Sequence, residues 1–246
     1  MRTIIGAVSL TIIALNPGAF AIAQQSGPEF TSELPLDSCH FVPWGGSPNF
    51  RLSPGQQRRL SNQRCVEAGE CEEREEVWIT VKRDTRRIPV DIDGRTRTVW
   101  TRVIEELESV DGLLIEASKN FFATCWGTGD VYYFGQEVTL YDDGEIVGHD
   151  GAWLAGVAGA RPGLMMPELY LLGARYFQKL APGVALDRVE HVGSGLGVEV
   201  PAGEFHDCVR VDVTSLLTPG VTATKVYCPG IGLVVDGKLE LTTFYD

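Results

Sequence analysis

The chain has 246 residues, 44% of them hydrophobic, and carries 21 Lys and Arg against 33 Asp and Glu, which gives a formal net charge of −12. A chain this acidic is a poor candidate for nucleic-acid binding, because neutralising phosphates requires a basic face. The hydrophobic fraction is too high for a disordered chain and is sufficient for a packed core.

Residues 1–23 have the features of a secretory signal peptide. Arg2 supplies a minimal positive charge, residues 4–15 form a largely apolar run, and the Ala-Ile-Ala sequence at 21–23 is a small-x-small cleavage site. The apolar run is too short to span a membrane. We therefore expect an exported protein, periplasmic or secreted, whose mature part does not span a membrane.

The cysteines lie after this segment, at Cys39, Cys65, Cys71, Cys125, Cys208 and Cys228. An even number in an exported protein indicates disulfides. The pair Cys208–Cys228 flanks a predicted hairpin almost symmetrically, and the pair Cys65–Cys71 encloses a short polar loop. We predict a disulfide in both pairs, and Cys39–Cys125 follows by elimination. Buried free thiols are the alternative for each pair.

The pattern of the remaining chain indicates a polar segment followed by strands. Residues 24–62 are rich in Pro, Gly and Ser, and we expect a loose N-terminal segment preceding a single β domain at 63–246. From about residue 75, β-branched and aromatic residues alternate with polar ones, and residues 169–180 are the only arguable helix. Asp-Gly turn signals follow one another at 93–94, 111–112, 143–144 and 236–237. The pattern predicts a mainly β fold, with a curved antiparallel sheet or a partly open β-barrel.

Residues 151–167 are the least ordinary stretch. They are rich in glycine, too irregular for a regular helix or strand, and too apolar for an exposed loop. One interpretation is a packed irregular loop that plugs the open side of the sheet. The other is that the loop lines a ligand pocket, because methionine adapts to irregular apolar shapes. The candidate ligand-binding residues are Trp153, Arg161, Met165 and Met166.

No catalytic motif stands out. The chain lacks G-x-S-x-G, G-x-G-x-x-G and C-x-x-C, and its four histidines have no metal-ligand spacing. His206 and Cys208 flank Asp207, but adjacent residues of a strand point to opposite faces. Glu105, Glu106 and Glu108 are candidates for general acid–base work, although a solvated strand face explains the same charges.

A cluster of carboxylates around one predicted hairpin is a candidate calcium site. Carboxylate oxygens are the ligands that Ca²⁺ prefers, but Asp-Gly turns place the same residues there for conformational reasons. We therefore assign no metal, no cofactor and no catalytic residue. The clustered residues are Asp142, Asp143, Glu145 and Asp150.

Several motifs carry a resemblance to known proteins. D-V-Y-Y-F-G at 130–135 and the stretch at 151–167 precede P-A-G-E-F at 201–205 and Y-C-P-G-I-G at 227–232. Together they resemble a broad group of exported bacterial proteins of unassigned function. The last two motifs are similar to those of curved-sheet periplasmic proteins of the LolA and LolB lipoprotein-carrier type. The resemblance implies a half-barrel of antiparallel strands whose concave side holds an apolar ligand, and it implies no catalytic residues.

These observations lead first to a non-enzymatic extracytoplasmic binding protein for a small apolar or amphipathic ligand. The alternatives are a secreted carboxylate-dependent hydrolase or cyclase, and a structural envelope module without ligand. An enzyme should bring two or more acids, or an acid and a histidine, together in a buried concave pocket. A binding protein for an apolar ligand should have an almost wholly apolar pocket.

Overall fold

The computed structural model describes residues 29–246, so the predicted signal peptide lies outside the described residues. The first elements are β1 (Phe41–Val42), β2 (Gly46–Ser47), β3 (Phe50–Arg51), β4 (Gln57–Ser61), α1 (Gln63–Glu67), β5 (Glu75–Ile92), β6 (Arg95–Val110), β7 (Leu113–Cys125) and β8 (Val131–Asp142). They are followed by β9 (Glu145–Gly148), β10 (Trp153–Leu154), β11 (Gly163–Met166), β12 (Arg175–Phe177), β13 (Asp187–Val200), β14 (Gly203–Ser215), β15 (Thr222–Cys228), β16 (Gly232–Asp236) and β17 (Leu239–Tyr245).

One large antiparallel sheet dominates the described part of the chain. Its strand order is β10-β8-β7-β6-β5-β4-β17-β16-β15-β14-β13-β12, with β1 paired to β7, and β9 and β11 paired to β8. The sheet curves but does not close into a barrel. The predicted fold class, mainly β with a curved antiparallel sheet, is therefore confirmed.

The predicted Asp-Gly turns join the long strands. Asp93, Asp111 and Asp143 have φ angles of 52°, 49° and 47°, and the glycine after each also has a positive φ. Positive φ at both central residues is the type I′ geometry that matches the twist of a hairpin. These turns set the register of β5–β6, β6–β7 and β8–β9, and register decides which side chains face the concave side.

The segment expected to be loose contains a strand of the sheet. β4 pairs with β5 on one side and with β17 on the other, and its Arg58 and Leu60 are buried. The prediction of a loose segment at 24–62 is corrected at this strand, where ordered backbone pairing begins before residue 63. The sequence pattern does not indicate this strand, because it is short and polar and because one of its buried side chains is an arginine.

The stretch at 151–167 is more regular than its composition indicates. β10 and β11 both pair with β8, and the pairing of β10 is possible because Gly135 of β8 has φ 131° and lacks a Cβ. A Cβ at this position would lie 2.4 Å from the Trp153 carbonyl oxygen. Residues 169–180, the only stretch where a helix is arguable from the sequence, contain β12 and no helix.

The same stretch reaches across the open side of the sheet. The backbone nitrogen of Arg161 donates to the Leu180 carbonyl oxygen at 2.8 Å, and the Gln178 amide donates to the Met165 carbonyl oxygen at 3.1 Å. Residues 151–167 therefore connect the β8 edge to the segment leading from β12. This placement agrees with a packed loop on the open side of the sheet.

Three disulfides join Cys39–Cys125, Cys65–Cys71 and Cys208–Cys228, the three pairings expected from the sequence. Cys39 ties the N-terminal segment to the end of β7. Three disulfides suggest an oxidising, extracytoplasmic environment. Within residues 29–246, none of the helical structure has the length and apolar character needed to cross a membrane.

Candidate functional site

The concave face of the sheet surrounds a cavity of about 630 Å³. Sites for small molecules commonly have volumes of roughly 300–1,000 Å³. The cavity takes side chains from both halves of the sheet. Its apolar wall consists of Phe50, Leu60, Val77, Ile79, Ile104, Phe122, Met165, Val213, Leu233 and Leu239.

Three glutamates form a carboxylate cluster on one wall. Glu106 and Glu108 alternate along β6 and so share one face, and Glu116 of β7 lies directly opposite Glu108. Among the described residues, none of the three forms an ion pair within 4.0 Å. Glu105 points to the convex side, where it pairs with Lys82 at 3.0 Å. The wall therefore brings three carboxyl groups together without a partner cation at close range.

Burial and mutual repulsion favour the protonated form of these glutamates. Burial, followed by the nearby charges of Glu116 and Glu106, raises the pKa of Glu108 to about 7. Burial also raises the pKa of Glu106, although Lys225 and Lys179 oppose the shift. Burial likewise raises the pKa of Glu116. A carboxyl group with a pKa near neutrality can both donate and accept a proton at physiological pH.

Two lysines of the opposite wall are already paired. Lys225 Nζ lies 2.7 Å from Asp236 Oδ2, and these residues are neighbours in the β15–β16 register. Lys179 Nζ lies 3.2 Å from Asp187 Oδ2. Burial lowers the pKa of Lys225, but Asp236 more than offsets this and the pKa of the lysine is raised overall. Lys225 therefore stays charged, and each lysine is paired with its own aspartate.

A hydrogen-bonded group stiffens the wall formed by β7 and β8. The Tyr133 hydroxyl is hydrogen-bonded to the Gln136 side chain at 2.5 Å and to Asn120. Asn120 in turn donates to the Ser118 hydroxyl at 3.1 Å. The Tyr133 ring stacks on Phe122 with ring centres 4.5 Å apart. Because these buried polar groups satisfy one another, they hold fixed orientations around the cavity.

A buried arginine lies at the other end of the cavity. Arg58 of β4 is 7% exposed, and its Nε donates to the Ile231 carbonyl oxygen at 2.8 Å. Tyr227 of β15 also lines the cavity and is 2% exposed. The cavity thus has an acidic wall, a wall of paired charges and a guanidinium, with apolar side chains between them.

The four residues predicted to bind ligand are not brought together. Met165 lines the cavity. Trp153 lies behind it, with its ring 5.3 Å from that of Tyr133, and Met166 is part of the core. Arg161 lies outside the cavity and pairs with Glu33 at 3.4 Å. The loop therefore contributes one side chain to the cavity directly and supports another from behind.

Sequence reasoning missed most of the polar lining. The run at 105–108 was considered as a whole, whereas strand alternation would have separated Glu105 from Glu106 and Glu108. Arg58 carries no such signal, because it lies in a segment whose composition predicts a loose chain. Lys225 and Asp236 carry no motif, and only the pairing of β15 with β16 places them side by side.

The carboxylates considered for calcium lie away from the cavity, around the turn between β8 and β9. Asp143 occupies the first central position of that turn with a positive φ. In the part of the chain that the structure describes, no group of three or more His, Cys, Asp and Glu side chains is arranged to hold a metal ion. Turn formation accounts for these acidic residues.

Comparison with known proteins finds no matching family model, no matching curated protein and no matching solved structure. The resemblance to lipoprotein carriers stays a prediction. The function is therefore argued from the cavity itself.

Proposed function

We propose that this protein is an extracytoplasmic, non-enzymatic binding protein that holds a small amphipathic molecule on the concave side of its sheet. The observation that carries this proposal is the cavity of about 630 Å³, lined by both apolar and charged side chains. A purely structural module would be expected to fill this space with side chains. Native interiors are otherwise packed with few voids larger than a water molecule.

Export is part of the proposal. The signal-like residues 1–23 and the three disulfides support a periplasmic or secreted protein. The resemblance to curved-sheet lipoprotein carriers supports a ligand with an apolar portion.

The charged lining favours an amphipathic ligand over a wholly apolar one. Burying unpaired charges against an apolar molecule is costly, because the charges lose water and gain no partner. A ligand with a polar or charged end would replace that water near the polar walls. Its apolar portion would contact side chains such as Phe50, Ile79 and Leu233.

Ligand binding is tested on protein exported by its own host. Native mass spectrometry and solvent extraction should find a bound small molecule, and an apolar fluorescent probe should bind the emptied protein saturably. Val77→Trp places a large ring in the cavity and should abolish probe binding. Thr80→Trp lies on the convex face of the same strand and should leave binding intact. Absence of both a bound molecule and saturable binding would contradict the proposal.

The carboxylate cluster favours a second candidate, a hydrolase or cyclase. Glu106, Glu108 and Glu116 face one cavity, and the pKa of Glu108 is raised to about 7. Paired carboxyl groups with separated pKa values are what general acid–base catalysis uses.

A panel of chromogenic esters, lactones and glycosides tests this candidate. Any turnover should be lost in Glu106→Gln or Glu108→Gln and kept in Glu105→Gln, whose side chain is on the convex face. No turnover with the panel, or turnover that survives both cavity substitutions, leaves the binding function as the better account.

A further inference from the structure

Two arginines of the sheet are equally buried but have different surroundings. Arg58 and Arg102 are each 7% exposed. Arg102 is held by backbone: its Nε donates to the Pro43 carbonyl oxygen at 2.9 Å, and its Nη1 reaches carbonyl oxygens of residues 82–84, the nearest at 2.7 Å. Arg58 makes one hydrogen bond, from Nε to the Ile231 carbonyl oxygen. Arg102 is therefore a structural arginine outside the cavity, whereas Arg58 lines the cavity with both terminal amino groups unused.

The unused donors of Arg58 are its two terminal amino groups. Within residues 29–246 they have no hydrogen-bond acceptor, and no carboxylate lies within 4.0 Å of the guanidinium. The side chain nevertheless lines the cavity. Burial lowers the pKa of Arg58, but a guanidinium stays charged at any physiological pH. A buried cation with free donors needs an acceptor from outside the protein, either water or a ligand.

A second unused donor lies at the same end of the cavity. Tyr227 is 2% exposed, and its hydroxyl has no hydrogen-bond partner among the described residues. The two groups are close enough that the charge of Arg58 lowers the pKa of Tyr227, against the larger effect of burial, which raises it to about 12. The hydroxyl therefore keeps its proton at physiological pH and is available to donate.

The backbone of β16 makes room for the guanidinium. Gly232 has no side chain, and a Cβ there would lie 3.2 Å from Cζ of Arg58. Gly232 is next to Leu233, which is the register partner of Tyr227. Arg58 and Tyr227 therefore approach the same short section of β16 from its two sides, which places their free donors at one end of the cavity.

An aromatic row leads from this end into the cavity. The ring of Phe50 lies 6.5 Å from that of Tyr227 and 5.0 Å from that of Phe122. Phe122 stacks in turn on Tyr133. A cationic end next to a continuous apolar surface matches an amphiphile with an anionic headgroup. The planar donors of a guanidinium suit the paired oxygens of a carboxylate or phosphate.

We propose, on the basis of the binding function proposed above, that Arg58 and Tyr227 bind an oxyanion headgroup of the ligand, a carboxylate or a phosphate. The apolar tail of the ligand lies along the row formed by Phe50 and Phe122. Glu106 of the cluster and Asp246 are the carboxylates that act on Arg58, and among the described residues neither lies within 4.0 Å of the guanidinium. Because burial favours its protonated form, Glu106 neutralises the guanidinium only in part and leaves charge for the ligand.

Four probes with the same twelve-carbon chain test this assignment by calorimetric titration of the disulfide-bonded protein. They are dodecanoate, dodecyl phosphate, dodecanol and dodecylammonium, each used below its micelle concentration. We expect at least one of the two anions to bind about 10- to 100-fold more tightly than dodecanol, which is the range for hydrogen bonds to a charged group. Whichever anion binds more tightly identifies the headgroup as carboxylate or phosphate.

Variants separate the headgroup site from general binding. Arg58→Gln and Tyr227→Phe should each reduce the preference for the anion over dodecanol by about 10-fold or more and leave dodecanol affinity unchanged. Tyr227→Phe removes a single hydroxyl and so keeps the test valid if Arg58→Gln does not fold. The control is Arg59→Gln, because Arg59 lies on the convex face against Trp78.

The outcomes distinguish the two proposals. Equal binding of anions and dodecanol, tighter binding of dodecylammonium, or an anion preference that survives Tyr227→Phe and Arg58→Gln would each overturn the headgroup assignment while leaving a binding protein. If none of the four probes binds the wild-type protein, the proposed binding function itself fails.

Discussion

Arg58 and Glu106 flank Ile79 from the two strands that border β5, and both point into the concave cavity. They are nonetheless not joined by an ion pair, since no carboxylate oxygen lies within 4.0 Å of the guanidinium among the described residues. The isoleucine between them and the two strand spacings that separate their backbones hold the charges apart. The cavity therefore keeps a cation and an acidic cluster available on opposite sides of an apolar strip.

The raised pKa of Glu108 predicts a specific pH dependence of stability. A carboxyl group whose folded-state pKa rises from 4.5 to about 7 contributes stability below pH 4.5 and loses that contribution as the pH rises through about 7. Glu108→Gln removes this loss, so the melting temperature of the variant relative to that of the wild type should be higher at pH 8 than at pH 4. Melting curves between pH 4 and pH 8 measure the difference.

Glu105→Gln is the control for this experiment, because Glu105 lies on the convex face next to Lys82. Glu105→Gln removes a carboxyl group outside the cavity and should not reproduce the increase seen for Glu108→Gln. If the melting temperature of Glu108→Gln depends on pH in the same way as that of the wild type, a raised pKa of Glu108 is not the cause of this pH dependence.

The pair formed by Lys225 and Asp236 should behave as a coupled unit. Lys225→Met leaves the Asp236 carboxylate without its cation at 2.7 Å and should destabilise the fold by about 1–3 kcal/mol. Adding Asp236→Leu should recover part of that loss, since both charges are then gone. Urea unfolding of the single and double variants measures the coupling. Strictly additive effects would show that the pair is energetically independent.

Gly135 should be more sensitive to substitution than Gly144, which also has a positive φ. A Cβ at Gly135 would lie 2.4 Å from the Trp153 carbonyl oxygen, whereas nothing lies within 4 Å of a Cβ at Gly144. Gly135→Ala should cost about 2–4 kcal/mol, from backbone strain and displacement of β10 together. Gly144→Ala should cost about 1 kcal/mol, from strain alone. Chemical unfolding of both variants tests the difference, and equal costs would argue against the close contact.

The disulfides should contribute unequally to stability. Cys39 and Cys125 are 86 residues apart, whereas Cys65 and Cys71 are 6 apart. Loop-closure entropy makes the longer link worth roughly 2 kcal/mol more. Paired Cys→Ser variants compared by urea unfolding should show this order. A larger loss from removing the short link would mean that native-state contacts, rather than chain entropy, dominate its effect.

Part of the fold follows from local chemistry in the sequence. The pairs Asp93–Gly94 and Asp111–Gly112 form the type I′ turns that their composition indicates, since few other residues tolerate two successive positive φ angles. The near-symmetric placement of Cys208 and Cys228 around a hairpin was sufficient to predict their disulfide. β4 could not be recognised in the same way, because the pairing partners of a short polar strand are distant in sequence.

The candidate site depended on information that the local pattern does not contain. Strand alternation states that Glu106 and Glu108 share a face, but it does not state that this face is concave. Met165 was expected near a ligand and lines the cavity, whereas Arg161, chosen by the same reasoning, lies outside it. Composition marks a stretch as unusual without deciding the direction of its side chains.

The sequence by itself determined the strand-rich class, the tight turns and the cysteine pairing, because each depends on residues near one another or on a simple count. Only the tertiary structure decided that Arg58, Tyr227 and Glu106 surround one cavity. These residues belong to β4, β15 and β6, and the order in which strands pair sets their proximity. Strand pairing and sheet curvature are cooperative properties of the whole chain, and no single segment encodes them.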